Sequence, residues 1–171
     1  VKLSANSFFT AWRNSSDVYA CVREINETVG IGGWKFYDPK DETKETPPSE
    51  SIEQIVHDLF NYQYSDGLYG FKQHAFEQYL IAGNSYVEKV YNGLGSDVLG
   101  LKVLDARTFQ IVTDSHGNIY KYIQGSPFNE WNTKDSVLFE PEHIIHWKKG
   151  RDPNSEAFGF SPLEPVLWNI R

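Results

Sequence analysis

Residues 79–87, YLIAGNSYV, contain the change of sequence period that decides the fold. Before Gly83, apolar residues recur at the three- and four-residue spacing of a helix, and the predicted helix ends at this glycine. After Asn84, the spacing changes to the two-residue alternation of a strand. We therefore expect Gly83 and Asn84 to form the turn from the helix to the strand, with Gly83 free to adopt a positive φ.

The helix that ends at Gly83 is the third of three predicted in the N-terminal half. Its apolar positions are Phe71, Ala75, Phe76, Tyr79 and Leu80. The first helix covers residues 16–29 and stops at Gly30, which is a common residue after a helix. Its apolar positions are Val18, Cys21, Val22, Ile25 and Val29. The second begins with a capping box made by Ser51 and Gln54. Its apolar stripe is Ile52, Ile55, Val56, Leu59 and Phe60.

Strand patterns dominate the chain after the turn. Five strands are predicted there, covering residues 85–91, 98–104, 109–113, 119–123 and 143–147. A shorter strand is predicted at residues 34–37, and the Pro-, Ser- and Thr-rich residues 38–50 are expected to form a mobile loop. Consecutive strands with short turns favour antiparallel pairing. The predicted fold class is therefore α+β, a mainly antiparallel sheet with three helices from the N-terminal half.

Composition limits the kind of protein this sequence encodes. Its 171 residues, 40% hydrophobic, can bury the core of one ordinary domain. The net charge of −7 comes without a block of Lys or Arg that could grip a phosphate backbone. A single cysteine, Cys21, excludes an internal disulfide, and no apolar run reaches the roughly 20 residues that a membrane span needs. We expect a soluble protein, and a piece of a longer polypeptide.

The two histidines of residues 141–150, PEHIIHWKKG, are candidates for chemistry. His143 and His146 are three residues apart, and Ile144, Ile145 and Trp147 favour a strand, on which such residues point to opposite faces. The pair therefore cannot chelate one metal ion. We predict no metal site, no cofactor and no catalytic residue.

Three other short motifs lack residues that their chemistry requires. Residues 30–33, GIGG, follow a helix and lack the third glycine of a dinucleotide site. Ser85 and Ser161 both lack the glycine that follows a nucleophile-elbow serine. Residues 152–154, DPN, begin like a calcium loop, but the positions that need a glycine and a bidentate acid hold Ala157 and Leu163.

Five segments, taken in order, are more informative than any single motif. They are Trp12 with residues 18–22 (VYACV), residues 79–87 (YLIAGNSYV), 104–108 (LDART), 144–147 (IIHW) and 159–163 (GFSPL). In this order they resemble the portal proteins of tailed bacteriophages, across nearly the whole chain. The sequence departs from that pattern at Ala106, which replaces a frequent proline, and in the loop at residues 38–50, which is longer than usual.

The resemblance implies an architectural role for six residues: Gly83, Asn84, His146, Gly159, Ser161 and Pro162. Ser161 can cap a helix, Pro162 suits the first helical position, and Glu164 can complete the capping box. The resemblance divides the chain into a wing-like α+β domain at residues 1–160 and, at residues 161–171, the start of a helix that leads toward a stem. His146 is expected to be a strand histidine hydrogen-bonded near the core of the wing.

A portal function follows from the resemblance. Portals form a homo-oligomeric ring, dodecameric in the family, at one capsid vertex; a terminase packages double-stranded DNA through the ring, and the DNA leaves through the tail. The implied partners are other copies of the chain, terminase, the major capsid protein, the head–tail connector, and DNA bound without sequence specificity. The implied location is the virion, after assembly in the cytoplasm of a bacterial host. The residues themselves set no subunit number. The net negative charge fits a conduit that must not bind DNA tightly, but an acidic balance is equally common in other soluble proteins.

Two other functions stay open at this stage. A carbohydrate- or receptor-binding β-rich module would expose Trp12, Trp131 and Trp147 around one groove. A hydrolase would place His116, His143 or His146 within hydrogen-bond reach of Asp105 or Asp114.

Overall fold

The computed structural model of the protein describes residues 4–30, 35–38, 40–125, 136–150 and 157–167. The helices in these residues are α1 (Ala5–Asn14), α2 (Ser16–Gly30), α3 (Glu50–Asn61), α4 (Leu68–Ala82) and α5 (Glu164–Leu167). The strands are β1 (Tyr37–Asp38), β2 (Asp41–Glu45), β3 (Asn84–Tyr91), β4 (Val98–Leu104), β5 (Phe109–Thr113), β6 (Ile119–Gln124), β7 (Val137–Phe139) and β8 (Ile144–Lys148). Short 3₁₀ turns occupy Ala106–Thr108 and Pro141–His143.

The strands of the described residues form three antiparallel sheets. β1 and β2 make a hairpin, the central sheet has the order β4-β3-β8, and the third has the order β5-β6-β7. A 3₁₀ turn joins the last two sheets. Asp105 accepts a hydrogen bond from the backbone N–H of Arg107 at 2.9 Å, and the Thr108 hydroxyl donates to the Asp105 carbonyl at 2.7 Å. These bonds turn the chain from β4 into β5.

The first half of β3, residues 84–87, is buried on both faces and separates two apolar clusters. Val87, on one face, belongs to the cluster beneath α3 and α4 that includes Phe60 and Phe71. Tyr86, on the other face, belongs to the larger cluster with Phe8, Phe9, Ile81 and Phe109. Both β3 residues are 2% exposed or less. Because fully burying a Val or Ile side chain contributes roughly 1.5–3 kcal/mol, this strand has a strongly fixed register.

The predicted fold class is confirmed as α+β with antiparallel sheets. α2 covers the predicted first helix, and α4 ends before Gly83, whose φ of 73° is the expected left-handed conformation. β4 and β5 have the predicted bounds, β3 and β6 each extend one residue beyond the prediction at one end, and β8 is shifted by one residue at both ends. His143, predicted in the last strand, lies in the 3₁₀ turn that precedes β8.

Two elements of the N-terminal region were not predicted. α1 begins at a capping box in which Ser7 occupies the position where Glu or Gln is usual, so its start signal was missed. The prediction of a loop at residues 38–50 was wrong, because β2 forms there and pairs with β1. The strand predicted at residues 34–37 is shifted to Tyr37–Asp38, and Trp34 lies outside the described residues.

The second predicted helix also starts earlier than expected. α3 begins at Glu50 with Ser49 as its N-cap, so the capping box of Ser51 and Gln54 is wrong. Gln54 instead donates to Asp58 at 2.7 Å. Not all positions of the predicted apolar stripes are buried. Those on α2 and α3 that remain exposed are Cys21, Ile25, Val29, Ile52 and Ile55.

Candidate functional site

The turn between α4 and β3 holds a glycine for two reasons. Gly83 has a positive φ, and its N–H donates to the Tyr79 carbonyl at 3.0 Å, which closes α4. A Cβ atom at Gly83 would also lie 2.5 Å from the carbonyl carbon of Phe160. The turn is therefore in direct backbone contact with a segment almost 80 residues further along the chain.

Asn84, the next residue, binds that segment through its carboxamide. Its Oδ1 accepts the Gly159 N–H at 2.7 Å, and its Nδ2 donates to the Gly159 carbonyl at 3.3 Å. Nδ2 also donates to the Ala82 carbonyl at 3.1 Å. Since Asn84 is only 7% exposed, these bonds satisfy a buried amide and fix which end is oxygen.

His146 supplies the remaining partner of the Asn84 carboxamide. Its Nε2 lies 3.0 Å from Asn84 Oδ1, and its Nδ1 lies 3.3 Å from the Tyr122 hydroxyl. Because Oδ1 can only accept, Nε2 must carry a hydrogen and donate it. In the neutral ring Nδ1 then accepts from Tyr122. Burial, with a smaller effect of the nearby Lys148 charge, lowers the pKa of His146 to about 4, so the neutral ring predominates at pH 7.

Aromatic rings hold the imidazole in this orientation. Tyr86 stacks between His146, at a centroid distance of 4.5 Å, and Phe109, at 4.3 Å. Tyr122 meets His146 edge-on at 5.8 Å. Burial raises the pKa of Tyr122 to about 12 and raises that of Tyr86 as well, so both phenols keep their protons and can donate at neutral pH.

The backbone of residues 159–161 lies against this turn. A Cβ at Gly159 would overlap the Gly83 carbonyl oxygen and lie 2.7 Å from the Lys149 backbone nitrogen. The Lys149 N–H donates to the Gly83 carbonyl at 2.9 Å, and the Phe160 N–H donates to the Lys149 carbonyl at 2.8 Å. Gly159 is thus enclosed by backbone on both sides.

Ser161 makes the last connection. Its hydroxyl donates to the Ile81 carbonyl at 2.6 Å, in the last turn of α4, and accepts the Leu163 N–H at 3.1 Å. Pro162 lies in the turn before α5 and is half-buried. The structure therefore brings together Gly83, Asn84, His146, Gly159 and Ser161, which we call the Asn84 junction, with Pro162 at its border.

Sequence reasoning missed three side chains that build this region: Tyr86, Tyr122 and Gln78. Tyr86 and Tyr122 complete the contacts of His146, and the sequence indicated only that they lie in predicted strands. Gln78 is 5% exposed, and its Oε1 accepts the Ala106 N–H at 3.0 Å, which fixes α4 to the 3₁₀ turn after β4. Gln78 could have been found from the sequence as a polar residue among the apolar positions of a helix, because a buried polar side chain needs a hydrogen-bond partner.

Comparison with known proteins identifies the family of the chain. A sequence model of the family described as phage portal protein matches residues 16–167. The chain belongs to the phage portal protein family. No curated protein is matched by its sequence.

Solved structures of similar fold include chains from gene transfer agent (GTA) particles. The structure described as the virion of a native GTA particle has a TM-score of 0.73 and 16% identity over 99% of this chain. The neck of an empty GTA particle has a TM-score of 0.74 and 17% identity over 95% of this chain, and the neck of a native particle 0.69 and 15% over 98%. The chain spans about two fifths of each of these chains, 41%, 42% and 42% respectively.

Both carboxylates that the hydrolase hypothesis requires accept hydrogen bonds from groups other than an imidazole. Asp114 accepts the backbone N–H groups of His116, at 2.8 Å, and Asn118, at 2.9 Å. Asp105 forms a bidentate pair with Arg107. Burial raises the pKa of the Asp105 carboxyl, but the hydrogen bonds with Arg107, together with the charges of Arg107 and His74, outweigh burial and leave the pKa below its ordinary value.

The other predicted site features are also dispersed in the part of the chain that the structure describes. His143 packs edge-on against Tyr91 at 5.4 Å, away from His146. Trp12 packs on the apolar cluster that contains Tyr86, and Trp147 packs on the cluster that contains Val87, so these two do not share a groove. Trp131 and residues 152–154 lie outside the described residues. Within that part, no group of three His, Cys, Asp or Glu is arranged for a metal ion, and no helix is long and apolar enough to cross a membrane.

Proposed function

We propose that this chain forms the wing of a portal subunit that assembles into a homo-oligomeric ring at a capsid vertex. The observation that carries the proposal is the family match over residues 16–167. The fold supports it, because similar chains occur in structures described as a GTA virion and as necks computed with C6 and C12 symmetry. A dodecameric ring agrees with both symmetries.

In this proposal the wing is a scaffold that carries out no chemistry. The ring forms the channel for DNA packaging and ejection, and it is the platform on which terminase and the head–tail connector dock. The Asn84 junction supports such a role, because backbone contacts and buried hydrogen bonds link α4, β3, β8 and residues 157–161. We further propose that residues 161–171 lead from the wing domain, residues 1–160, toward the stem.

Electron microscopy of the full-length protein tests the ring. We expect annular particles with a central hole, and class averages with twelvefold symmetry. A population that stays monomeric at micromolar concentration, with native circular dichroism, would contradict the proposal. Variants of the Asn84 junction can be compared with Gly93→Ala as a control, because a Cβ at Gly93 would have no atom within 4 Å.

DNA content distinguishes a channel from a receptor-binding module. Particles made without the gene should contain no packaged DNA, and a plasmid copy should restore packaging. If the particles instead fill with DNA normally and lose only attachment to cells, the binding-module function is correct and the channel function is wrong.

A further inference from the structure

The cavity between α1, α2 and α4 has a mostly polar wall. Its volume is about 200 Å³, which is far more than a single water molecule needs. α1 contributes Trp12 to the lining, α2 contributes Asn26, and α4 contributes Glu77. Val22 is the one aliphatic residue among the described residues that line it. The cavity therefore suits a polar molecule better than a hydrocarbon.

Two buried polar atoms in this wall lack a hydrogen-bond partner within the described residues. They are the Nε1–H donor of Trp12 and the Oδ1 acceptor of Asn26. The orientation of the Asn26 carboxamide is fixed, because its Nδ2 donates to the Gln73 carbonyl at 3.0 Å. Since Asn26 is only 7% exposed, leaving its oxygen unpaired is unfavourable, and a ligand that donates to this oxygen would be stabilised.

Glu77, on α4, supplies a second acceptor. Burial has the largest effect on its pKa, which it raises, and the charge of Arg13 partly opposes that effect. In the part of the chain that the structure describes, the Glu77 carboxylate accepts no hydrogen bond. A donor placed in the cavity would therefore stabilise this carboxylate as well.

The unpaired groups are one donor and two acceptors, and this combination selects the chemistry of the ligand. A cation would satisfy Asn26 and Glu77 but would leave the Trp12 N–H unpaired. It would also lie near the Arg23 guanidinium, which lines the same cavity. An anion would accept from Trp12 but would be repelled by Glu77. A hydroxyl both donates and accepts, so neighbouring hydroxyls on one neutral molecule can serve all three groups.

The α2 side of the cavity gives access to these atoms. Tyr19 and Arg23 line the cavity there, and both side chains are largely exposed. The Tyr19 ring lies against the Trp12 ring at a centroid distance of 5.6 Å, and Arg23 forms an exposed ion pair with Glu27 at 2.6 Å. Exposed ion pairs are weak and exposed side chains change rotamer rapidly, so both can turn and let a ligand reach the enclosed atoms.

We propose that the cavity between α1, α2 and α4 binds a small neutral polyol. Trp12 Nε1 donates to one hydroxyl of the ligand, and Asn26 Oδ1 and the Glu77 carboxylate accept from others. The bound polyol would link the three helices through one molecule. The site depends on the contacts of these helices alone and does not require the ring proposed above.

Saturation-transfer NMR on the full-length protein tests the site with three probes that share a six-membered ring. They are myo-inositol, cyclohexylammonium and cyclohexanecarboxylate. We expect saturable binding of myo-inositol, with a Kd on the order of millimolar, and at least about tenfold weaker binding of the other two. Trp12→Phe keeps an aromatic ring but removes the N–H, and should weaken myo-inositol binding about fivefold. Trp147→Phe, on the other apolar cluster, is the matched control and should leave binding unchanged.

Three results would overturn the proposal. If myo-inositol gives no saturable signal, water alone fills the cavity. If cyclohexylammonium binds more tightly than myo-inositol, the acceptors select the ligand and the polyol class is wrong. If Trp12→Phe and Trp147→Phe bind myo-inositol equally well, binding occurs elsewhere on the protein. Should Trp12→Phe fail to fold, Glu77→Met removes an acceptor from α4 instead, and unchanged binding in that variant would equally refute the site.

Discussion

Gly159→Ala is the substitution that tests the Asn84 junction most directly. The new methyl group would overlap the Gly83 carbonyl oxygen and approach the Lys149 nitrogen to 2.7 Å. Both atoms belong to backbone held by its own hydrogen bonds, so neither can move as the end of a flexible side chain would. The segment containing residue 159 must therefore move away.

The cost can be worked out from the bonds that this movement breaks. They are the two bonds between Gly159 and Asn84 and the Phe160 N–H bond to Lys149. At about 1 kcal/mol net for each bond, the loss is about 3 kcal/mol. Alanine restricts the unfolded chain and returns about 0.4–1 kcal/mol. We expect a net loss of about 2 kcal/mol, or about a 30-fold larger opening constant for residues 157–161.

Native-state hydrogen exchange at pH 8 measures this opening, and urea unfolding measures the global stability. Gly93→Ala is the control, because its Cβ points into open space and should stabilise by about 0.4–1 kcal/mol. Gly159→Ala should lose protection in residues 157–167 relative to this control. If the two variants show equal protection and equal urea midpoints, the close packing inferred around Gly159 is incorrect.

The remaining predictions concern the other half of the junction. Asn84→Asp places a carboxylate against two backbone carbonyl oxygens and should lower the free energy of unfolding in urea by about 3 kcal/mol at pH 7. Since a protonated acid can donate a hydrogen bond, the difference from the unsubstituted protein should shrink toward pH 4. A difference that stays constant with pH would argue against the orientation assigned to the Asn84 carboxamide. Gly83→Ala requires a positive φ and meets the Phe160 backbone, so we expect a loss of about 3 kcal/mol. Gly100→Ala meets the Cβ as well as the ring of Tyr62, and because turning the ring does not move that Cβ, the backbone of β4 or of the end of α3 must shift; we expect a loss of about 1–3 kcal/mol. If thermal unfolding shows no loss for Gly100→Ala, the close approach of β4 to Tyr62 is incorrect.

Local sequence signals predicted the elements that local forces build. α4 and β3 were predicted because the spacing of apolar residues changes at Gly83. The apolar residues on each side include ones that the structure buries, among them Phe71, Ala75 and Val87. β4 and β5 were predicted with correct bounds since turn residues flank each of them. Such signals act over a few residues and need no knowledge of the tertiary contacts.

Other elements depend on contacts that a local pattern does not contain. β2, DETKE, has no apolar residue, so its strand conformation comes from pairing with β1. The helical stripes predicted on α2 and α3 are longer than the faces that are buried, because neighbouring elements cover only part of each helix. Ile25 and Ile55, 48% and 57% exposed, lie beyond that cover. Propensity and spacing cannot give the extent of a partner surface.

The candidate site shows the same limit. The family resemblance selected Asn84 and Gly159 together, but nothing in either local sequence indicates that a carboxamide binds a glycine 75 residues away. Likewise the prediction that His146 points away from His143 followed from strand geometry, whereas its contact with Tyr122 on another sheet did not. Side chains that join distant segments have to be found in the structure.

The chemistry of residue 84 explains why asparagine suits the junction. Gly159 presents one N–H and one carbonyl, and a carboxamide offers an acceptor and a donor that bind both. Aspartate lacks the donor, serine has a single oxygen, and glutamine would place the same groups one methylene further out. The second Nδ2 hydrogen binds the Ala82 carbonyl, and the second lone pair of Oδ1 receives His146. Both hydrogens of Nδ2 and both lone pairs of Oδ1 are thus hydrogen-bonded. Asparagine fits the junction through these hydrogen bonds as much as through the space that Gly83 and Gly159 leave free.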